Sequence, residues 1–282
     1  MYEAYYSLKT KPFAIVPDPN FLYWAGPHSM AFTMLEYGIV SHAGFTVITG
    51  EVGTGKTTLI RHLLSKLPGE INVGLLSNTQ GGRGELLQWV LMAFGQKFDA
   101  QSYVSLYGEF QNYLETQYDL GKRTVLIIDE AQNLGSSALE ELRMISNVNT
   151  HDRELIQVVL SGQPELKKLL SAPDMTQFVQ RVSSDFHLTR LGRKDVIGYI
   201  DHRLRVAGAD HYLFSEEACE LIGVATQGTP RLINILCDAA LMYGYASDSS
   251  VVTMDVVQRV LNDKKRYGVF PLPTNLRSKL DV

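Results

Sequence analysis

Gly50-Glu51-Val52-Gly53-Thr54-Gly55-Lys56-Thr57 fits G-x-x-x-x-G-K-[ST], the pattern of a phosphate-binding loop. Upstream, Gly44-Phe45-Thr46-Val47-Ile48-Thr49 reads as a buried strand. Downstream, Thr57-Thr58-Leu59-Ile60-Arg61-His62-Leu63-Leu64 places apolar residues at helical spacing. Strand, loop and helix in this order are the context the motif requires, and they separate it from a Gly-rich surface turn. Three glycines let the backbone curl so that successive N–H groups face phosphate oxygens, and the helix adds its positive N-terminal end. Gly50, Glu51, Val52, Gly53, Thr54, Gly55, Lys56, Thr57 and Thr58 are therefore the nucleotide-binding candidates. The Lys56 ammonium is expected to reach the β- and γ-phosphates, and the Thr57 hydroxyl to ligate Mg²⁺.

Working outward, Thr124-Val125-Leu126-Ile127-Ile128 is a continuous apolar run suited to a central parallel strand, and it ends in Asp129-Glu130-Ala131-Gln132. An acid pair at a strand end also arises where an ordinary strand meets a helix start. After a phosphate-binding loop, with one strand between, it reads as chemistry: Asp129 holds Mg²⁺ beside Thr57, and Glu130 polarises a water for attack on the γ-phosphate.

The other predicted strands run over 71–77, 155–161 and 183–189, with helices over 28–42, 83–95, 103–118, 134–148, from Pro164, and over 174–182. Residues 78–82 read as a loop. Five strands separated by helices argue a parallel sheet covered on both faces. From Gly192 the strands stop. Helices over 193–207, 215–226, 230–246 and 253–262 predict a small all-helical second domain. The expected division is an α/β nucleotide-binding domain over 1–190, a helical lid over 191–263, and an irregular tail over 264–282. Residues 9–24 carry three prolines among Phe, Tyr and Trp, which precludes regular structure yet demands packing. This aromatic arm either helps enclose an adenine or is simply stapled to the core.

The chain of 282 residues is 45% hydrophobic and 20% charged, ordinary values for a globular protein. No run approaches eighteen apolar residues, so no membrane span is expected, and Met1-Tyr2-Glu3-Ala4 lacks the basic and apolar regions of a signal peptide. Cys219 and Cys237 lie in helical patterns and are expected as buried thiols of a reducing compartment; seven scattered histidines form no metal-spaced cluster. The net charge is −4; residues 1–189 carry 14 basic and 19 acidic side chains, the remainder 12 and 11. A near-neutral C-terminal part permits a basic patch without requiring one.

The phosphate-binding loop, Asp129-Glu130 and a helical domain containing Gly228-Thr229-Pro230-Arg231 together resemble the AAA+ ATPases. Pro12-Phe13, Pro17-Asp18-Pro19, Phe21-Leu22-Tyr23, Ile128-Asp129-Glu130-Ala131-Gln132, Ser161-Gly162-Gln163-Pro164-Glu165-Leu166 and Gly228 to Asn234 are similar to the ExeA-like, or general secretion pathway protein A, family. The resemblance covers about residues 1–262. It implies a P-loop NTPase fold of the AAA+ type, with ATP and Mg²⁺ as cofactors and the nucleotide between the α/β and lid domains. It also implies a homo-oligomer on ATP binding. Its function would be ATP hydrolysis in assembly of a bacterial envelope system (secretion, pilus or exopolysaccharide machinery), in the cytoplasm and attached to the inner membrane through a partner. Longer members add a membrane-spanning segment and a cell-wall-binding part; this chain matches the short form.

The resemblance further implies a γ-phosphate-sensing residue after the fourth strand, where Ser161 and Gln163 both stand. Arg181 matches the arginine finger given to a neighbouring subunit, with Arg143 and Arg153 as rivals, and Arg231 matches the second sensor. A guanidinium suits both tasks because it is permanently charged and forks across two phosphate oxygens. Two other readings stand beside this one. Related ATPases bind DNA in transposition control or replication loading, which the overall acidity disfavours. A nucleotide-gated scaffold without hydrolysis is disfavoured by intact Lys56, Asp129 and Glu130.

Overall fold

The computed structural model describes residues 1–77, 85–97, 102–150 and 152–271. The chain divides into two compact units: Ser29–Val52 with His62–Leu188, and Met1–His28 with Gly53–Arg61 and Thr189–Val282.

In chain order the elements are α1 (Tyr2–Tyr5), α2 (Gly26–Val40), β1 (Phe45–Gly50), α3 (Lys56–Lys66), β2 (Ile71–Leu76), α4 (Leu86–Ala93), α5 (Tyr103–Asp119), β3 (Arg123–Ile128), α6 (Gly135–Ile145), β4 (Gln157–Gly162), α7 (Pro164–Leu170), α8 (Thr176–Val179), β5 (Val182–Leu188), α9 (Arg193–Val206), α10 (Glu216–Thr226), α11 (Pro230–Ala246) and α12 (Met254–Tyr267).

The five strands form the expected parallel sheet, in the order β2-β3-β4-β1-β5. β1 and β4 are buried along their whole length, and β3 in all but its first residue. That is why their sequences run apolar without alternation. β5, at an edge, alternates buried and open positions. α4 packs on β2, α5 on β3, and α7 on β1, while Phe178 of α8 packs against Phe45 with ring centroids 4.5 Å apart and planes tilted by 53°. Because all strands run one way, Gly50, Leu76, Ile128, Gly162 and Leu188 end at a single edge of the sheet.

Several boundaries move. The expected 134–148 helix is α6 followed by a 3-10 turn over Ser146–Val148. Leu155 and Ile156 precede β4 rather than joining it: both their N–H groups donate to Asn149 Oδ1, at 2.8 and 3.0 Å. The helix expected over 174–182 is a 3-10 turn plus the four residues of α8, and Val182 already belongs to β5. The predicted 78–82 loop lies outside the described residues, as do the first residues of the helix predicted from 83.

The other unit gathers α1 and α9–α12 around one apolar core. The aromatic arm, grouped by sequence with the α/β part, packs here instead. Phe13 of the arm is buried in this core beside Tyr2, Tyr6 and Leu8, which precede the arm, Phe21 and Tyr23 pack against it, and Arg203 of α9 donates from Nε to the Pro12 carbonyl at 2.6 Å. Truncating a buried side chain such as Phe13 to Ala costs about 3–5 kcal/mol, so the arm is anchored. This favours stapling over a loose adenine flap. α12 continues to Tyr267, past the predicted end at 262. Lys264, Lys265 and Arg266 fill its last turn, where cations meet the negative end of the helix dipole; the irregular tail therefore does not begin at 264. Residues 272–282 lie outside the described residues. Cys219 and Cys237 are free and buried, and burial pushes the Cys219 thiol up to about 12.

Candidate active site

β1 delivers the chain to the phosphate-binding loop at Gly50, and α3 begins at Lys56. Glu51 and Val52 are exposed, Thr57 and Thr58 half-buried, Thr54 0% exposed and Lys56 5% exposed. Gly53 has φ +79° and Gly55 φ +105°, a backbone that only glycine adopts without strain. No acidic residue occupies the first turn of α3, so no carboxylate there repels an anion at the positive end of the helix. A Cβ on Gly53 would also lie 2.7 Å from Arg231 Cβ and 3.3 Å from Thr229 Cγ2. The loop thus lies directly against the start of α11, where Arg231 N–H donates to the Gly53 carbonyl at 3.2 Å.

The Gly228-Thr229-Pro230-Arg231 motif acquires a structural reason. Gly228 has φ +71°, and a Cβ there would sit 2.0 Å from the Leu191 carbonyl oxygen. Its own carbonyl accepts from Leu191 N–H at 2.9 Å. Pro230 then opens α11 where its missing N–H costs nothing. Arg231 follows within the first turn, exposed and beside the loop.

At the same edge of the sheet as Gly50, β3 runs into Asp129, whose N–H donates to Leu76 O at 2.8 Å. Asp129 is 5% exposed. Its Oδ1 accepts from Ser161 Oγ at 2.7 Å and from Glu130 N–H at 3.0 Å, so β4 orients the carboxylate of β3. Glu130 has φ +55° and ψ +38°, an arrangement rare outside glycine that costs of order 1–3 kcal/mol and tends to persist where function requires it. Its Oε2 accepts from Gln132 Nε2 at 2.7 Å and from Gln163 Nε2 at 3.0 Å. Gln163 N–H donates to Gln132 Oε1 at 2.9 Å, which fixes the Gln132 amide with its NH₂ toward the carboxylate. Ser161 and Gln163, left as competitors by the sequence, thus stand on different acids: Ser161 on Asp129, Gln163 on Glu130.

Among the described residues no three His, Cys, Asp or Glu side chains gather as a metal cluster. The Asp129 carboxylate at the end of β3 offers hard oxygen donors, the kind that Mg²⁺ takes, without the sulfur and nitrogen ligands that Zn²⁺ favours.

Arg181 lies elsewhere. It precedes β5, whose first residue Val182 pairs with Phe45, the first of β1. It therefore sits at the sheet edge opposite Gly50, about 17 Å away by strand rise and beyond the reach of its side chain. Its Nη1 donates to Ser146 Oγ at 2.8 Å and to the Arg143 carbonyl at 3.2 Å, beside a 320 Å³ cavity lined by Gly44, Phe45, Asn147 and Asn149. Of its rivals, Arg143 Nε is paired with Glu140 Oε2 at 2.7 Å, and the Arg153 guanidinium lies 5.6 Å from the Tyr118 ring centroid.

Sequence reasoning passed over two contributors. Gln132 stood in the quoted Asp-Glu-Ala-Gln stretch, two residues after Glu130, without a role. His28, whose Nε2 lies 2.9 Å from the Thr54 carbonyl oxygen, gave no signal because it is 26 residues from the loop.

Residues 39–170 match the AAA domain family. General secretion pathway protein A of Aeromonas hydrophila is 38% identical over 250 residues, which cover 88% of this chain and 46% of that protein. The chain spans about half the length of this curated relative. Among solved structures, Cdc6p of Pyrobaculum aerophilum matches with a TM-score of 0.68 at 13% identity, over 94% of this chain and 72% of its own. The Aeropyrum pernix ORC2 protein, solved as ADPNP–ADP complexes, matches with 0.64 at 16% identity, over 84% and 67%. The Thermotoga maritima RuvB Holliday junction branch migration motor matches with 0.57 at 20% identity, over 86% and 70%. At these identities the structural likeness establishes the fold and nothing further.

Proposed function

We propose that this chain, 38% identical to General secretion pathway protein A over most of its length and carrying an AAA-domain match, is an ExeA-like AAA+ ATPase that binds ATP with Mg²⁺, hydrolyses the γ-phosphate, and couples that cycle to assembly of a bacterial envelope system. The observation that carries this reading is the pair of glutamine amides on Glu130, beside an Asp129 oriented by Ser161, at the sheet edge where β1 enters the phosphate-binding loop.

The loop N–H groups and Lys56 would hold the phosphate chain. Thr57 and Asp129 would hold the cation, which supplies charge neutralisation on the β- and γ-oxygens. Glu130 would accept a proton from the attacking water, and Gln132 and Gln163 keep its carboxylate aimed. Arg231, from α11, would meet the γ-phosphate as the second sensor. Arg181, out of reach of its own loop edge, would serve the nucleotide of a neighbouring subunit, so hydrolysis would depend on oligomerisation.

The envelope role rests on the relative's name and is peripheral to the inner membrane in this reading. No described helix is long and apolar enough to cross a membrane. The DNA-binding alternative gains nothing from the fold likeness to replication proteins. Calorimetry with Mg–ATP and a phosphate-release assay test the proposal. Lys56→Ala is expected to bind ATP far more weakly. Glu130→Gln is expected to bind ATP normally and to hydrolyse it about 10²–10⁴-fold more slowly. Parent-like hydrolysis by both variants would overturn it.

A further inference from the structure

We infer that His28 is a positioning residue for the phosphate-binding loop, fixing the direction of the peptide between Thr54 and Gly55. The inference rests on the ATP-binding reading of that loop. A carbonyl oxygen only accepts, so the hydrogen in the 2.9 Å contact between His28 and Thr54 belongs to His28 Nε2. The ring Nδ1 is then a bare lone pair; it is buried and has no hydrogen-bond partner among the described residues. The side chain as a whole is 4% exposed. His28 is therefore held as one neutral tautomer. Burial lowers its pKa, outweighing the opposite pull of the Thr54 carbonyl and of Asp195.

The consequence for the loop follows from peptide planarity. In a trans peptide the C=O and N–H point in opposite directions. With the Thr54 carbonyl turned to His28, the Gly55 N–H points away from it. Gly55, at φ +105°, tolerates either orientation of that peptide, so its own backbone does not select one. The His28 contact does. The preceding peptide is held in the same manner: the Gly53 carbonyl accepts from Arg231 N–H, which sends the Thr54 N–H the other way. Two successive donors of the loop are thus oriented by residues gripping their carbonyls from outside. One grip comes from residue 28, the other from α11. Donors aimed before the anion arrives need no reorganisation on binding. His28 also lies against the loop physically, with Nε2 3.4 Å from where a Gly55 Cβ would stand.

The test uses the full chain with two probes, Mg–ATP and inorganic tripolyphosphate, by titration calorimetry, with thermal unfolding alongside. Tripolyphosphate lacks base and ribose, so it reads the loop alone. His28→Phe keeps a ring without a donor and is expected to bind both probes about tenfold more weakly. His28→Gln keeps an N–H donor at similar reach and is expected to stay within about threefold of the parent. A folded His28→Phe with parent affinities, or a His28→Gln as weak as His28→Phe, overturns the inference. If His28→Phe does not fold, ¹⁵N shifts of the His28 ring in the parent carry the test. The neutral Nε2–H tautomer at pH 7 is expected; an Nδ1–H tautomer or an imidazolium overturns it. Failure of the parent to bind either probe would instead defeat the ATP reading.

Discussion

Replacing Gly53 by Ala adds one methyl group at the point where the phosphate-binding loop touches α11. The left-handed φ of +79° costs an L-residue about 1–2 kcal/mol. The new Cβ meets Arg231 Cβ at 2.7 Å and Thr229 Cγ2 at 3.3 Å, both close to helix backbone that cannot swing aside. Overpacking of this kind costs about 1–3 kcal/mol. If the strain is relieved by parting loop and helix, the Arg231 N–H to Gly53 bond goes instead, at about 0.5–1.5 kcal/mol. The expected loss is about 2–5 kcal/mol, accompanied by weaker Mg–ATP binding because the loop donors lose their orientation. Gly108→Ala is the control. Gly108 lies inside α5 with open space at its Cβ position and no left-handed φ, so the same change is expected to stabilise by about 0.5–1 kcal/mol. Urea unfolding reads both stabilities, and calorimetry the affinity. Parent-like stability and affinity in Gly53→Ala, beside a stabilised Gly108→Ala, would refute the loop geometry argued above.

Three further outcomes are expected. Ser161→Ala removes the donor to Asp129 Oδ1, so Mg²⁺-dependent hydrolysis should fall about tenfold while ATP binding without Mg²⁺ is unchanged; an equal loss with and without the cation would count against this role. Arg181→Ala should remove any rise of ATPase rate with protein concentration, and mixing it with Glu130→Gln should restore activity if each supplies the group the other lacks; proven co-assembly without recovery would exclude Arg181 as the finger. His28 and His202 both have pKa values lowered mainly by burial, so the folded chain takes up fewer protons than the unfolded one as pH falls. Their contribution to stability is complete above about pH 6.5 and is lost as pH drops toward the lowered values, at up to about 1.4 kcal/mol per pH unit per group. Urea midpoints from pH 7.5 to 5.5 should therefore fall, less steeply in His28→Gln; a midpoint rising over that range would contradict the sign.

Local patterns were enough for the strand-loop-helix at residues 45–66, the acid-terminated β3, the five-stranded parallel sheet and the helical C-terminal run. Each is written in contiguous residues: Val125 to Ile128 is apolar without alternation because both sheet faces are covered, and Gly53 and Gly55 mark a backbone that other residues avoid. The Gly228-Thr229-Pro230-Arg231 motif was visible as a string, but its reason was not, since the atom that excludes a side chain at 228 is the carbonyl of Leu191. Partnerships across the fold lay beyond sequence reading. Whether Ser161 or Gln163 served which acid depended on how β4 is registered against β3, with Ile128 opposite Leu160. The arm's place in the helical unit was settled by the buried Arg203 reaching the Pro12 carbonyl, a contact 191 residues apart. His28 carried no motif at all; only the folding of the chain brings its ring nitrogen to the Thr54 carbonyl. Periodicity and backbone demand are local properties of a chain, whereas the pairing of polar groups is a property of which segments fold together.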